Sequence, residues 1–170
     1  AALIIESLNG YRLKEKLPEN IGSFKVALGE PEILRDGTDL TIVTYGSMCR
    51  IVLEAAGQLA NYGIEAEVID VQTLIPFDLD HQIIESVKKT NRLVVADEDV
   101  PGGASAYILQ KIIEDQEAYK HLDSKPLTIS GKEHRAAYGS DGDYYSKRNS
   151  EEMFEEVYAM MHESNTVEYP

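Results

Sequence analysis

Three consecutive carboxylates, Asp97, Glu98 and Asp99, close a stretch that reads as a β-strand from Arg92 to Asp97. Open α/β sheets place their binding crevices beyond the carboxyl ends of their strands, so carboxylates there could hold a cation or carry protons. Spacing alone sets no further carboxylate or histidine beside them, and a solvated acidic loop is the plainer reading. Directly after them, Gly102, Gly103, Ala104 and Ser105 precede a helix, where free backbone N–H groups could cradle an anion. Neither G-x-G-x-x-G nor G-x-x-x-x-G-K-[ST] is present, so close packing of a strand-to-helix turn competes with that anion site. Cys49 falls in the first turns of a helix opening near Ser47; the helix dipole would favour its thiolate, yet no nearby His or Lys is available as a base. Thr44-Tyr45-Gly46-Ser47-Met48 departs from the Gly-x-Ser-x-Gly of a nucleophile elbow, which argues against a hydrolase. His134 beside Arg135 could be a base or an anion contact, and Ser140-Asp141-Gly142-Asp143 resembles part of a calcium loop. The twelve-residue spacing ending in Glu is missing from the latter, which favours a plain Asp-Gly turn. Tyr138, Tyr144 and Tyr145 read as packing or interface aromatics in the same polar loop.

The elements that must position these residues follow from hydrophobic period. Leu3-Ile4-Ile5 reads as a short apolar strand, and residues 1–37 as an amino-terminal arm. Leu40 to Tyr45 is β-rich; Ile51, Val52, Ala55, Ala56 and Leu59 then recur at helical spacing to a stop at Gly63, and Ile64 to Val71 is a second strand. A helix over about Leu79–Lys89, the strand ending at Asp97, an amphipathic helix marked by Ile108, Leu109, Ile112 and Ile113, and a short strand Leu127–Ser130 complete the alternation. The last helix starts near Ser150, its expected N-cap, with Glu151 and Glu152 in the first turn. Strands and helices joined by short links imply a mostly parallel sheet with helices on both faces. The irregular stretch from Gly131 to Asn149 is long enough to suggest a functional loop.

With 170 residues and 43% hydrophobic content, the chain can bury one sizeable core. Thirty acidic against sixteen basic residues give a formal charge of −14, a field that repels nucleic acid and attracts a basic partner. Apolar stretches are too short for a membrane span, and the start Ala1-Ala2-Leu3-Ile4-Ile5 suggests a segment of a larger polypeptide. A single cysteine and the lack of Cys-x-x-Cys or paired His ligands fit a reducing, cytoplasmic setting without structural zinc.

Four motifs occur in an order that resembles the beta subunit of 2-oxoacid dehydrogenase decarboxylating components. They are Tyr11-Arg12-Leu13-Lys14-Glu15; Asp36-Gly37-Thr38-Asp39 running on to Tyr45-Gly46; Glu67 to Asp78 with Thr73-Leu74-Ile75-Pro76-Phe77-Asp78; and Lys88-Lys89-Thr90-Asn91-Arg92-Leu93-Val94-Val95. The resemblance implies a transketolase-type carboxy-terminal fold over residues 38–164 with a tail at 165–170: a three-layer αβα sandwich on a mostly parallel five-stranded sheet, one strand antiparallel. It implies a parent enzyme that decarboxylates pyruvate or a branched-chain 2-oxo acid and passes the acyl group to a lipoyl group. Thiamine diphosphate and magnesium would be held by other domains, with no cofactor, metal or catalytic residue in this one. The implied partners are the enzyme's other domains or subunits, a second copy in dimer contacts, and the peripheral subunit-binding domain of the lipoyl acyltransferase. His121-Leu122-Asp123-Ser124-Lys125-Pro126 is similar to the element whose acidic residue meets that basic domain, which makes Asp123 the partner-binding candidate, although Lys125 is an insertion relative to it. After Lys132 the chain departs from the family's common ending. Two other readings stay open: the corresponding domain of transketolase or deoxyxylulose-phosphate synthase, and a stand-alone acidic module that binds a small ligand through Gly131 to Asn149.

Overall fold

The computed structural model describes residues 1–14, 16–134 and 142–169, without the side chains of Leu8, Asn9, Asp143 and Tyr144. Arg135, Tyr138, Ser140 and Asp141 therefore lie outside the described residues. Five strands form one sheet: β1 (Glu32–Arg35), β2 (Leu40–Thr44), β3 (Ala66–Asp70), β4 (Leu93–Ala96) and β5 (Leu127–Ile129). Their order is β1-β3-β2-β4-β5; β1 runs antiparallel to β3 and the other pairs are parallel. The helices are α1 (Met48–Ala60), α2 (Gln82–Thr90), α3 (Ala104–Gln110), α4 (Gly142–Ser146) and α5 (Ser150–Ser164), and α3 continues as a π-helical turn over Lys111–Asp115.

Side chains alternate across the sheet with a period of two, and this divides the core. Leu40, Ile42, Val68 and Val94 face a layer made by α1 and α5, whose Val52, Leu59, Met153 and Val157 are fully buried. Val43, Ile69 and Val95 face the opposite layer, with Ile83 and Val87 of α2 and Ile108 of α3. Each such side chain removed from water contributes about 1.5–3 kcal/mol. Because both faces are covered, the central strands are buried on both sides, with Leu40, Ile42, Val43, Val68, Ile69, Val94 and Val95 as their apolar residues. Polar groups inside the sheet are paired: Thr41 Oγ1 lies 2.7 Å from both Ser86 Oγ and Thr90 Oγ1. Glu67, 1% exposed, is ion-paired to Lys89. Burial pushes the Glu67 carboxyl up, but Lys89, Ser86 and the Gly37 amide together bring it below its ordinary value.

The structure departs from the sequence expectations at several places. Leu3, Ile4 and Ile5 form no strand and stand 80–88% exposed, since among the described residues no strand pairs with them. Within the segment read as an arm, Glu32–Arg35 is sheet: it pairs with β3 in the register Glu32 to Asp70 and Ile33 to Ile69. Tyr169, in the stretch read as a tail, is 6% exposed and packs into the α1/α5 core, its carbonyl 2.6 Å from His162 Nδ1. Helix α2 begins three residues later than expected because Asp78 and His81 take left-handed backbone angles, with φ of 34° and 55°. The Asp78 carboxylate then accepts from the Gln82 and Ile83 amides, at 2.8 and 2.9 Å, and so supplies the cap. The cap of α5 is Asn149, whose Oδ1 accepts from the Glu152 amide at 2.8 Å, and Ser150 is the first helical residue. Gly63 does close the turn after α1, with φ of 77°. Among the described residues no helix is long and apolar enough to cross a membrane.

Gly37 is where the link between β1 and β2 crosses β3: a Cβ there would stand 2.2 Å from the Ala66 carbonyl carbon and the Glu67 nitrogen. Backbone on the other side leaves no side chain to move aside. Gly37→Ala should therefore lower unfolding stability by about 2–3 kcal/mol. Urea denaturation measures it, and an unchanged midpoint would show that the crossing is looser than described.

Candidate functional site

Strand β2 connects through α1 to β3 on one side of it, whereas β4 connects through α3 to β5 on the other. The chain reverses its winding between β2 and β4, and the crevice beyond their carboxyl ends is the position where α/β sheets bind ligands. Tyr45, Gly46 and Ser47 enter it from β2; Asp97, Glu98 and Asp99 enter it from β4.

Asp97 is fully buried, and both its oxygens are engaged. Oδ1 accepts from the Tyr45 hydroxyl at 2.6 Å and from the Asp99 amide at 3.0 Å; Oδ2 accepts from the Ser105 amide at 2.9 Å. The backbone donor that the sequence offered to an external anion at Gly102-Gly103-Ala104-Ser105 is thus held by the chain's own carboxylate. Gly102 takes φ of 91° to turn the chain, Gly103 donates its amide to Val100 O, and Ala104 starts α3. Burial, then the Asp97 hydrogen bond and its charge, push the Tyr45 phenol far above its ordinary value. Tyr45 therefore acts as a fixed donor and not as a base.

Glu98 accepts from the Ser47 hydroxyl at 2.7 Å, with Lys147 Nζ 3.4 Å away. Ser47 is tied to a carboxylate, and among the described residues no histidine is hydrogen-bonded to it, so the serine-nucleophile arrangement is not assembled there. The described ends of the Gly131–Asn149 loop are stitched onto this edge. Gly131 donates to Asp99 O at 2.8 Å, Lys132 to Ser146 O at 2.9 Å, and Arg148 Nε to Ser130 O at 2.8 Å. Lys132 Nζ lies 4.5 Å from the centre of the Tyr145 ring, and the His134 ring is 6.4 Å from it. Sequence spacing could not bring Tyr45, Asp97 and Ser105 together, because the first pair is 52 residues apart.

Cys49 lies beside Asp70. Burial first, then the Asp70 charge and hydrogen bond, push its thiol up to about 12. Asp70 is itself raised by burial, though the Gln72 amide and the Cys49 thiol hold it back. The dipole-activated thiolate considered from sequence is outweighed by this neighbour. Asp123 stands apart from all these groups, exposed at the amino-terminal end of the sheet, with its amide donating to Asn91 O at 2.9 Å. Among the described residues no group of three or more His, Cys, Asp and Glu side chains could hold a metal ion.

The architecture defines a three-layer α/β domain whose switch-point crevice is closed by its own polar side chains. Residues 29–145 match the family described as the transketolase C-terminal domain, and the chain belongs to that family. It is similar to the pyruvate dehydrogenase E1 component subunit beta of Bacillus subtilis, 38% identical over 130 residues, covering 75% of this chain and 38% of that one. The subunit of the same name from Rickettsia felis is 42% identical over 118 residues, covering 69% and 35%. The beta subunit of acetoin:2,6-dichlorophenolindophenol oxidoreductase from Cupriavidus necator is 48% identical over 99 residues, covering 58% and 28%. The chain thus spans about a third of the length of these relatives. Among solved structures, a split-gene transketolase in an inactive β4 tetramer has the same fold, with a TM-score of 0.64 and 24% identity over 85% of this chain and 46% of that one. The resemblance read from the motifs and the five-stranded, mostly parallel sheet both stand.

Asp97→Asn keeps the shape but leaves one fewer acceptor for three donors, and should cost about 2–4 kcal/mol. Tyr45→Phe should cost about 1–2 kcal/mol, since one partner is lost; equal, negligible losses in urea denaturation would contradict the hub. For Cys49, the folded thiol binds its proton more tightly than the unfolded one, whose ordinary value is 9.0. Its contribution to stability is full below pH ~9 and is lost as pH rises towards ~12. At pH 8 its alkylation in the folded chain should be slower than in denatured chain by roughly a hundredfold or more, and Asp70→Asn should accelerate it.

Proposed function

We propose that this chain is the carboxy-terminal, non-catalytic assembly domain of a thiamine-diphosphate-dependent 2-oxoacid dehydrogenase, acting on pyruvate or a branched-chain 2-oxo acid. The observation that carries the reading is the saturation of the switch-point crevice: Asp97 gives both oxygens to Tyr45, Asp99 and Ser105. A ligand entering there would have to break buried hydrogen bonds whose loss costs about 1–3 kcal/mol each. The groups present in the crevice therefore do not fit a diphosphate or its magnesium, which in this reading are held by other parts of the enzyme. The relatives are named as beta subunits of the pyruvate dehydrogenase E1 component, and assembly with further subunits is the natural role of a domain that carries their fold.

The same reading gives Asp123 to the peripheral subunit-binding domain of the lipoyl acyltransferase. Its support is the side chain's exposure, its distance from the closed crevice, and a field of −14 that would draw in a basic domain. A sugar-phosphate enzyme of the transketolase type is favoured less, because an acidic crevice edge repels phosphate.

Titration of the chain with a peripheral subunit-binding domain, at low and at high salt, checks the assignment. Binding should weaken with salt, and Asp123→Lys should weaken it roughly tenfold or more. Binding that ignores both salt and the substitution would remove Asp123 from the interface; no binding at all would contradict the docking role.

A further inference from the structure

Helix α5 holds glutamate at 151, 152, 155, 156 and 163 and has no lysine or arginine of its own. Glu152 and Glu156 are paired with Arg148 and Lys132 at 3.0–3.7 Å. Glu151, Glu155 and Glu163 are exposed and enter none of the ion pairs among the described residues. Spaced by multiples of four, with Ala159 between the last two, they form one stripe along the helix. This stripe is an acidic rail with no counter-charge of its own.

Beside the rail lies a shallow hollow of about 370 Å³ lined by Phe154, Glu155, Tyr158, Ala159 and His162. Glu155, Tyr158, Ala159 and His162 are positions i, i+3, i+4 and i+7 of one helix, the four-residue diamond into which a facing helix inserts a single side chain. Ala159 is the small member that leaves the space. The aromatic wall is braced from behind: the Phe154 and Tyr158 rings stack with centroids 5.6 Å apart, and Tyr62, from the turn after α1, meets them at 5.2 and 5.7 Å. His162 is held through its Nδ1, 2.6 Å from Tyr169 O. Walls fixed in advance lower the ordering cost of filling the hollow.

We propose that the outer face of α5 is a docking site for a basic amphipathic helix of a separate polypeptide. The diamond of residues selects a helix as the occupant, and the hollow takes one side chain of leucine or methionine size, in the helix-in-groove manner. The unpaired rail of Glu151, Glu155 and Glu163 selects arginine or lysine on the flank of that side chain, where a guanidinium also reaches the Tyr158 ring. A second α5 does not fit, because it would set carboxylates against carboxylates. Permanent contacts within an enzyme assembly are broader and more apolar than one hollow rimmed by charge, so the occupant is a reversibly bound partner. The contact is independent of Asp123 and of the acyltransferase.

Fluorescence anisotropy tests this with a labelled peptide of about 15 residues, roughly the length at which an isolated helix is populated, carrying leucines on one stripe and arginines beside them. Titrated with the whole chain, the peptide should bind saturably, and exchanging its arginines for glutamates should weaken binding roughly tenfold or more. Ala159→Leu fills the hollow without altering any charge and should weaken binding by as much. Glu151→Lys/Glu155→Lys should reject the basic peptide and accept the acidic one. All three positions are exposed, so both variants should fold, which circular dichroism verifies. Asp123→Lys should leave the affinity within about twofold, which separates this contact from acyltransferase docking. Binding unmoved by Ala159→Leu would show attraction to net charge alone. That result, no saturable binding of the basic peptide, or binding only once a second copy has left α5 would each overturn the proposal.

Discussion

The buried carboxylate of Asp97 is the constraint on which the carboxyl edge of this domain depends. A carboxylate at 0% exposure is tolerated only when every oxygen is paired, and here the partners come from three separate elements: the end of β2, the loop after β4 and the first turn of α3. One side chain thus joins the two strands that flank the switch point and seats the helix that follows. The region that other α/β sheets leave open for ligands becomes a structural joint. Glu98 with Ser47 and Lys147, and Gly131 with Asp99, extend the same stitching outwards.

At the opposite edge the domain is fastened by different means. Gly37 lets one connection pass against β3, and Glu67 with Lys89, Thr41 with Ser86 and Thr90, and Tyr169 folded back on α5 fill the amino-terminal ends of the strands. With both edges sealed, the features left open are on the outside: the exposed arm, the aromatic hollow on α5, and Asp123. Such a distribution supports the proposed assembly role.

The sheet and its helical cover were legible because β2, β3 and β4 are short segments rich in Val and Ile and α1 and α5 carry apolar residues at helical spacing. Strand β1 was not, since Glu-Ile-Leu-Arg has no alternation of its own and becomes a strand only through pairing with β3. The start of α2 was misjudged because its cap, Asp78, sits four and five residues before the amides it holds. At the candidate site, the carboxylate run and the Gly-Gly turn were visible as residues, but their roles were not. Asp97 meets Tyr45 across 52 residues and Cys49 meets Asp70 across a strand, and neither contact leaves a local pattern. Neighbours in the chain therefore suggest an anion cradle where the fold places a hydrogen bond from the Ser105 amide to the chain's own Asp97 carboxylate.

The central claim is that this chain carries no chemistry of its own at the switch point. Calorimetric titration of the purified chain with thiamine diphosphate and magnesium ion tests that most directly. The account predicts no saturable heat, since the crevice donors and acceptors are already engaged with one another. Stoichiometric binding, removed by substitution of Tyr45 or Ser47, would contradict it and make the crevice a cofactor site.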